Sequence, residues 1–439
     1  MPPRLEDPVT IGGLKVPNRL YRAPLLECAG NGEHTVDTLI RELEPAAASG
    51  DGLLFKGATI VRPEGGCAAP GMTRVHDPDF VADCARLAET IEAHGAKLFV
   101  QLEHGGLRSM ETWHAAYRES HPDLQQLAAS RPPVLLRALD RLGFLDYDVH
   151  VLSTGEVYDL AADFGRSAGY AIDAGYHGVH VAGANMGIVE QFLSPLYNRR
   201  DDEFGGTDGR LRFLELLHDE IRSRVGPDVP IVTKVPAETA APPLVRRRIT
   251  LQDGVRIAVA AEQFGYDAVV PVCGSGFWDG SIVRGAYPAR AWRDERFLDG
   301  YDAAFGGPVR RRLVAFANRI QARQLAFEPA WNETFCRRVR ERVSIPVLAE
   351  GGIRNRAQID RLLATGACDL VGMGRPFYAE PRLGARLLDA DADAGAVCEN
   401  CNNCTVPQVA GARGVCRTPD VLARRGDLER AGAYDRERH

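Results

Sequence analysis

The chain has 439 residues, 45% of them hydrophobic, and a formal net charge of −6. That is length and apolar material enough for one large barrel with a full core, and the acidic balance argues against a basic nucleic-acid-binding surface. No apolar run reaches the ~18 residues of a membrane span, and the opening stretch MPPRLEDPVTIGG lacks an apolar signal core, so a cytoplasmic protein is expected. The 10 cysteines then read as core residues, metal ligands or reactive thiols rather than disulfides. The arginine runs Arg246–Arg248 and Arg310–Arg312 read as solvated faces.

In chain order, short apolar runs read as strands at Leu20–Ala23, Leu53–Thr59, Lys97–Leu102, Gly178–Ala182, Ile231–Val235, Asp267–Cys273, Val347–Glu350 and Asp369–Gly372. Helical periodicity falls between them at Phe80–His94, Asp159–Ala174, Leu211–Val225, Gly254–Phe264, Glu333–Val343 and Arg356–Thr365. Strands too apolar to face water on either side, alternating with helices, describe a parallel sheet buried on both faces. The count of strand–helix units points to a (β/α)8 barrel, an α/β fold. The barrel is expected over residues 1–397, with long βα loops, and a short cysteine-containing extension over 398–439. The two longest connections, Arg108–Val151 and Phe277–Pro329, follow strand ends. They are expected either to fold over the active-site face or to serve as oligomer contacts.

Two glycine devices close consecutive strands: Glu350-Gly351-Gly352 and Gly372-Met373-Gly374-Arg375. Glycines there let backbone N–H groups approach an anion, Arg375 adds a positive charge, and barrels of this type often hold a phosphate between their last two loops. In the tail, Cys398, Cys401 and Cys404 are followed by Cys416. Three thiolates within seven residues and a fourth from a later loop can wrap a metal centre, with iron–sulfur, zinc or unliganded thiols all open. No GxGxxG turn follows Cys416, so no further nucleotide-binding domain is expected.

The stretch Gln191–Gly206, QFLSPLYNRRDDEFGG, resembles the old yellow enzyme (NADH:flavin oxidoreductase) family, and the likeness runs through most of residues 8–385. It implies FMN as cofactor. Both glycine devices match that family's FMN phosphate loops. Asn18–Pro24 is similar to its first strand, placing Ala23 and Pro24 against the isoalloxazine, and Gly57–Thr59 places Ala58 there too. Gln101–Gly106 (QLEHGG) resembles the family's QLxHxGR, with Gln101 on the pyrimidine edge and His104 as a ligand contact or a structural histidine. Lys234, in Thr233–Pro236, stands where the family usually has an Arg beside the flavin N1–C2=O.

Alignment on QFLSP puts Ala182 and Asn185 where relatives carry a substrate-binding His/His, His/Asn or Tyr/His pair. Gly187 falls where a tyrosine proton donor often stands. Asn185 and His104 are therefore the catalytic candidates, with Glu27 and Trp278 as further polar groups. Cys28 is a core residue or a flavin neighbour, and His180 a buried interior residue. The other cysteines (Cys67, Cys84, Cys273, Cys336, Cys368) read as core or loop. The tail's spacing resembles the trimethylamine dehydrogenase and 2,4-dienoyl-CoA reductase branch, which favours a [4Fe–4S] cluster over zinc.

The expected function is hydride or electron exchange between NAD(P)H, or a redox partner protein, and a small enone-, dienoyl- or amine-like substrate. A homo-oligomer is expected, with neither nucleic acid nor membrane as partner. Two other classes stay open: a catalytically altered flavoprotein or electron-transfer subunit, and a Schiff-base lyase using Lys234.

Overall fold

The computed structural model describes residues 2–63, 66–239, 245–277, 279–389 and 394–435. Trp278 lies outside the described residues. Parallel strands β1 (Leu20–Arg22), β2 (Leu53–Ile60), β3 (Lys97–Glu103), β4 (Gly178–Val181), β5 (Ile231–Glu238), β6 (Ala268–Gly274), β7 (Leu348–Ala349) and β8 (Leu370–Met373) pair in sequence order around the ring, with β8 beside β1. A single parallel bridge, Val269 to Val347, closes β6 onto β7. The expected strands are all present, and the fold is a (β/α)8 barrel.

Both faces of these strands are buried because each side packs against its own apolar layer. Outward residues such as Leu54, Leu98, Val179 and Val235 meet the ring of helices. Inward residues such as Tyr21, Phe55, Phe99, Val232, Val270, Leu348 and Leu370 form a second cluster inside the barrel. Tyr21, Phe55 and Phe99 meet edge to face, with ring centroids 5.4 and 5.5 Å apart. The hairpin Val9–Ile11/Leu14–Val16 adds Ile11 and Val16 to the same cluster.

Strand alternation then dictates what lies above this plug, since residues i and i+2 share a face. Two positions above Tyr21, Phe99, Val232 and Leu348 come Ala23, Gln101, Lys234 and Glu350. A polar layer thus sits directly on an aromatic and aliphatic one, at the C-terminal end of the barrel where sites of this fold form.

Helices α1 (Thr35–Ala48), α2 (Ala85–Ala93), α3 (Thr154–Asp173), α4 (Gly206–Val225), α5 (Leu251–Phe264), α6 (Glu333–Arg340) and α7 (Arg356–Ala364) surround the strands. Ser153 with Glu156, and Thr250 with Asp253, form capping boxes that start α3 and α5. The helix expected at Phe80–His94 is two pieces, Pro78–Asp83 and α2, which meet at Cys84. Of the two long connections, the first brings Arg108 and the second Ile282 and Val283 to the mouth of the barrel. The helix Pro308–Gln324 of the second has no buried residue.

Candidate active site

A cavity of about 250 Å³ opens on the polar layer. Its wall contains Ala23, Pro24, Ala58, Gln101, Asn185, Lys234, Gly351, Gly352, Gly374 and Arg375 together. These residues come from the ends of seven of the eight strands and are spread over more than 350 positions of sequence. His104 is not among them. It is fully buried, and its Nδ1 accepts the Gly106 N–H at 3.1 Å, because alternation turns it away from the face that Gln101 uses.

One end of the cavity is built from β1 and β2. The Arg22 guanidinium pairs with Glu27 at 3.0 Å, both side chains almost fully buried, and this ties the turn carrying Ala23 and Pro24. Glu27 is thereby spent on structure and does not line the cavity. The pairing of β2 with β3 slips between Lys56 and Ala58, a bulge at Gly57 that re-aims Ala58. A Cβ on Gly57 would lie 1.3 Å from the Leu25 carbonyl oxygen, so no side chain fits there. Cys28 is buried outside the cavity wall, and burial pushes its thiol up to about 12. Cys273, by contrast, reaches the wall.

Across the floor, the Gln101 carboxamide nitrogen lies 3.0 Å from His180 Nδ1. Burial, and then the Lys234 charge, hold His180 well below the ordinary histidine range, so a neutral ring orients the amide. Lys234 Nζ forms a buried ion pair with Glu350 Oε1. Its ammonium is therefore fixed at the cavity wall by a partner on β7.

At the far end, Gly351 and Gly352 take φ of +103° and +73°, the left-handed region that favours glycine. A Cβ at Gly352 would lie 2.3 Å from the Glu328 carbonyl oxygen. Arg375 reaches past the wall, donating to the carbonyls of Val283 at 3.2 Å and Arg284 at 2.7 Å, and to Asn402 Oδ1. A second cation missed in the sequence, Arg354, also lines this end. It stacks 5.4 Å from the Phe327 ring centroid, and its buried Nε has no partner among the described residues.

An FMN fits this site on the molecule's own terms. A glycine-lined end with an orphaned guanidinium nitrogen suits a phosphate. A side-chain amide and a fixed ammonium in the floor suit a heteroaromatic ring edge. Asn400, Thr405 and Gln408 of the tail complete the wall, so the extension packs against the cavity itself. Gln408 and Tyr378 both donate to the Leu26 carbonyl, at 2.7 and 2.6 Å, which pins the tail to the turn after β1.

The substrate side is formed by the turn after β4. Ala182, Asn185 and Gly187 stand there, with Asn185 and Met186 at φ of +74° and +66°. Three contacts hold this turn. Glu190 accepts the Met186 N–H at 2.6 Å, Gln191 donates to the Met186 carbonyl at 2.7 Å, and Arg108 donates to the Asn185 carbonyl at 2.5 Å. The Gln191 of QFLSP thus acts as a brace, and Asn185 Oδ1 is left buried with no partner among the described residues. Glu103 and Arg108, neither singled out by the sequence reading, share this part of the wall.

The four tail cysteines line a second, smaller cavity of about 20 Å³ beside Arg375 and Tyr378. Cys401 Sγ lies 3.0 Å from Thr418 Oγ1 and accepts from Asn403 Nδ2 at 3.4 Å. Among the described residues, no three His, Cys, Asp or Glu side chains are gathered at metal-binding geometry. Burial raises the Cys398, Cys404 and Cys416 thiols. An all-thiol donor set, with the Asn403 side-chain N–H aimed at the Cys401 sulfur, suits an iron–sulfur cluster by its chemistry.

The comparisons with known proteins agree with this geometry. The NADH:flavin oxidoreductase / NADH oxidase family matches residues 4–262. The chain belongs to that family, a class of FMN-dependent oxidoreductases. It is 26% identical over 435 residues to the NADH oxidase of Thermoanaerobacter brockii, covering 94% of this chain and 57% of that protein. To the 4,4'-dithiodibutanoate disulfide reductase of Rhodococcus erythropolis it is 25% identical over 430 residues, covering 96% of each. Among solved structures, 2-naphthoyl-CoA reductase superposes with a TM-score of 0.72 at 18% identity, over 98% of this chain and 58% of that one. Morphinone reductase gives 0.62 at 20% identity, over 90% and 92%. The chain spans little more than half the length of several relatives that it matches. No helix among the described residues is long and apolar enough to cross a membrane.

Proposed function

We propose that this chain carries two electrons from NAD(P)H, or from a redox partner, to a small organic substrate with an enone-, dienoyl- or amine-like group. The observation that carries the reading is the single cavity in which the dispersed flavin-site residues meet. FMN bound there supplies the hydride-exchanging centre. Ala23, Pro24 and Ala58 offer it a flat wall, and Gln101 a hydrogen-bonding edge. Lys234 sets a positive charge where negative charge would develop, an oxyanion-hole type of effect. Gly351, Gly352, Gly374 and Arg375, with Arg354, take the phosphate. Asn185 presents its amide to the substrate. The T. brockii NADH oxidase supports NADH as donor, and a cinnamate reductase of Clostridium sporogenes, 25% identical over 409 residues, with 2-naphthoyl-CoA reductase, supports a reductive direction on a conjugated acyl compound.

In this reading residues 1–397 form the FMN barrel and 398–439 a cluster tail. Cys398, Cys401, Cys404 and Cys416 bind a [4Fe–4S] cluster that exchanges electrons with a partner chain. The missing side chains at Ala182 and Gly187 favour a second reading, an electron-transfer subunit with no turnover of its own. The visible spectrum of anaerobically purified protein, with iron and acid-labile sulfide assays, tests both cofactors. The proposal expects a flavin spectrum that bleaches with NAD(P)H, plus iron and sulfide in equal amounts. Zinc without sulfide would refute the cluster, and colourless protein would refute the flavin. Full flavin with no turnover of any enone, dienoyl thioester or amine would establish the second reading.

A further inference from the structure

Ala182 and Gly187 cannot give a proton, yet the cavity contains an acid that no motif predicts. Glu103 ends β3, two residues beyond Gln101 and on the same face, and it lines the cavity. The residue is only 8% exposed, and its carboxyl group makes no hydrogen bond to any described residue. Its charged neighbours are already engaged. Arg108 donates to the Asn185 carbonyl, and Lys234 on β5 is paired with Glu350 on β7. His180 on β4 is held neutral.

The position of Glu103 relative to Gly187 is the decisive geometry. A Cβ on Gly187 would lie 3.6 Å from Glu103 Oε1 and 3.7 Å from its Cγ. The backbone at Gly187 has φ −65° and ψ 174°, which any residue adopts, so conformation does not demand glycine there. The tightest neighbour of that Cβ would be the His104 carbonyl oxygen at 3.3 Å, so the Glu103 carboxyl group stands in van der Waals reach of the place where a side chain at 187 would begin.

We propose that Glu103 is the proton donor to the substrate, in place of the tyrosine that position 187 lacks. The proposal rests on the FMN-oxidoreductase reading above and deepens it. In reduction of a C=C bond conjugated to a carbonyl, one carbon receives a hydride that originates in NAD(P)H. The other receives the Glu103 proton as the O–H bond breaks. The π bond is lost, NAD(P)H leaves as NAD(P)+, and the Glu103 carboxylate regains a proton from water. Asn185, on the same cavity wall, suits the polarised carbonyl oxygen. Burial raises the Glu103 acid above the usual carboxyl range, against the pull of Arg108 and Lys234, in the direction that a general acid near neutral pH requires.

The test uses FMN-loaded full-length protein, anaerobic stopped-flow mixing, NADH or NADPH as donor and a simple cyclic enone as oxidant. With Glu103→Gln, flavin reduction is expected to stay within about twofold, while reoxidation by the enone falls ~100-fold or more. Glu103→Asp keeps an acid and is expected to recover part of that rate. Infrared difference spectra of the resting proteins, wild type minus Glu103→Gln, supply a readout independent of turnover: one protonated-carboxyl component present in wild type and lost in the variant, beside those of Glu190 and Glu238. Equal reoxidation rates in wild type and Glu103→Gln, or an unchanged carboxyl band, would overturn the assignment to Glu103 and leave the oxidoreductase reading standing. Wild-type protein that holds FMN but is never reoxidised by the enone would overturn both.

Discussion

Lys234 and Glu350 form a buried pair at the heart of the cavity, with side chains 7% and 11% exposed. Lys234→Met removes the ammonium while keeping most of its volume, and leaves the largely buried Glu350 carboxylate without its partner. Breaking one side of such a pair costs about 3–5 kcal/mol, because the remaining charge is uncompensated. The double variant Lys234→Met/Glu350→Gln removes both charges, and replacing a whole buried pair is often neutral. Stability should therefore fall sharply in the single variant and recover in the double. Flavin affinity should behave differently, since a charge-assisted contact is worth ~1.5–3 kcal/mol and neither variant supplies it. Both variants are expected to bind FMN about 10- to 150-fold more weakly. Chemical denaturation of apoprotein and fluorescence titration with FMN measure the two effects separately. If FMN affinity recovers together with stability in the double variant, Lys234 is a structural residue only and its assigned role is wrong.

Gly57→Ala should abolish flavin uptake and lower the melting temperature, because its Cβ would lie 1.3 Å from the Leu25 carbonyl and push the turn of Pro24 into the cavity; a normal FMN titration would disprove the bulge geometry. Arg354→Met should weaken FMN by about tenfold or more and riboflavin hardly at all, and equal losses for both ligands would place the phosphate elsewhere. Glu190 and Glu238 are buried carboxyl groups whose acidity is suppressed, Glu190 by burial and then by the Glu238 charge, Glu238 chiefly by burial. Their folded-state values lie above the unfolded value, so their contribution is full below the ordinary 4.5 and is lost as pH rises through the folded values. Melting temperature should fall from pH 5 toward alkaline pH, and Glu190→Gln should flatten that slope; an unchanged slope would contradict the shared burial.

The barrel strands were legible because a strand packed on both faces must be apolar along its whole length, and short runs such as Leu53–Ile60 or Ile231–Glu238 stand out from polar surroundings. Helix α1 was not singled out. Its core residues Val36, Leu39 and Leu43 are interrupted by charged residues, and Pro45 sits inside it. The flavin wall was legible from glycine pairs at strand ends and from family motifs. Glu103 was hidden between Gln101 and His104, where the motif leaves a free position; the signal that reveals it is the period of two, which turns residues 101 and 103 inward and His104 outward. Arg354 lies two residues past Gly352, and only the fold of the turn shows that it faces the cavity. Nor could the sequence show that the cysteine tail packs on the turn after β1 through Gln408, because that contact spans 382 residues.

The central claim is that this cavity holds FMN, and counting flavin tests it most directly. Heat-released chromophore from purified protein, identified by chromatography and measured against protein concentration, should be FMN at one per chain, and the stripped protein should take up FMN again to the same level. Protein that carries no flavin and takes none up, or that binds a flavin without discriminating for the phosphate, would contradict the account.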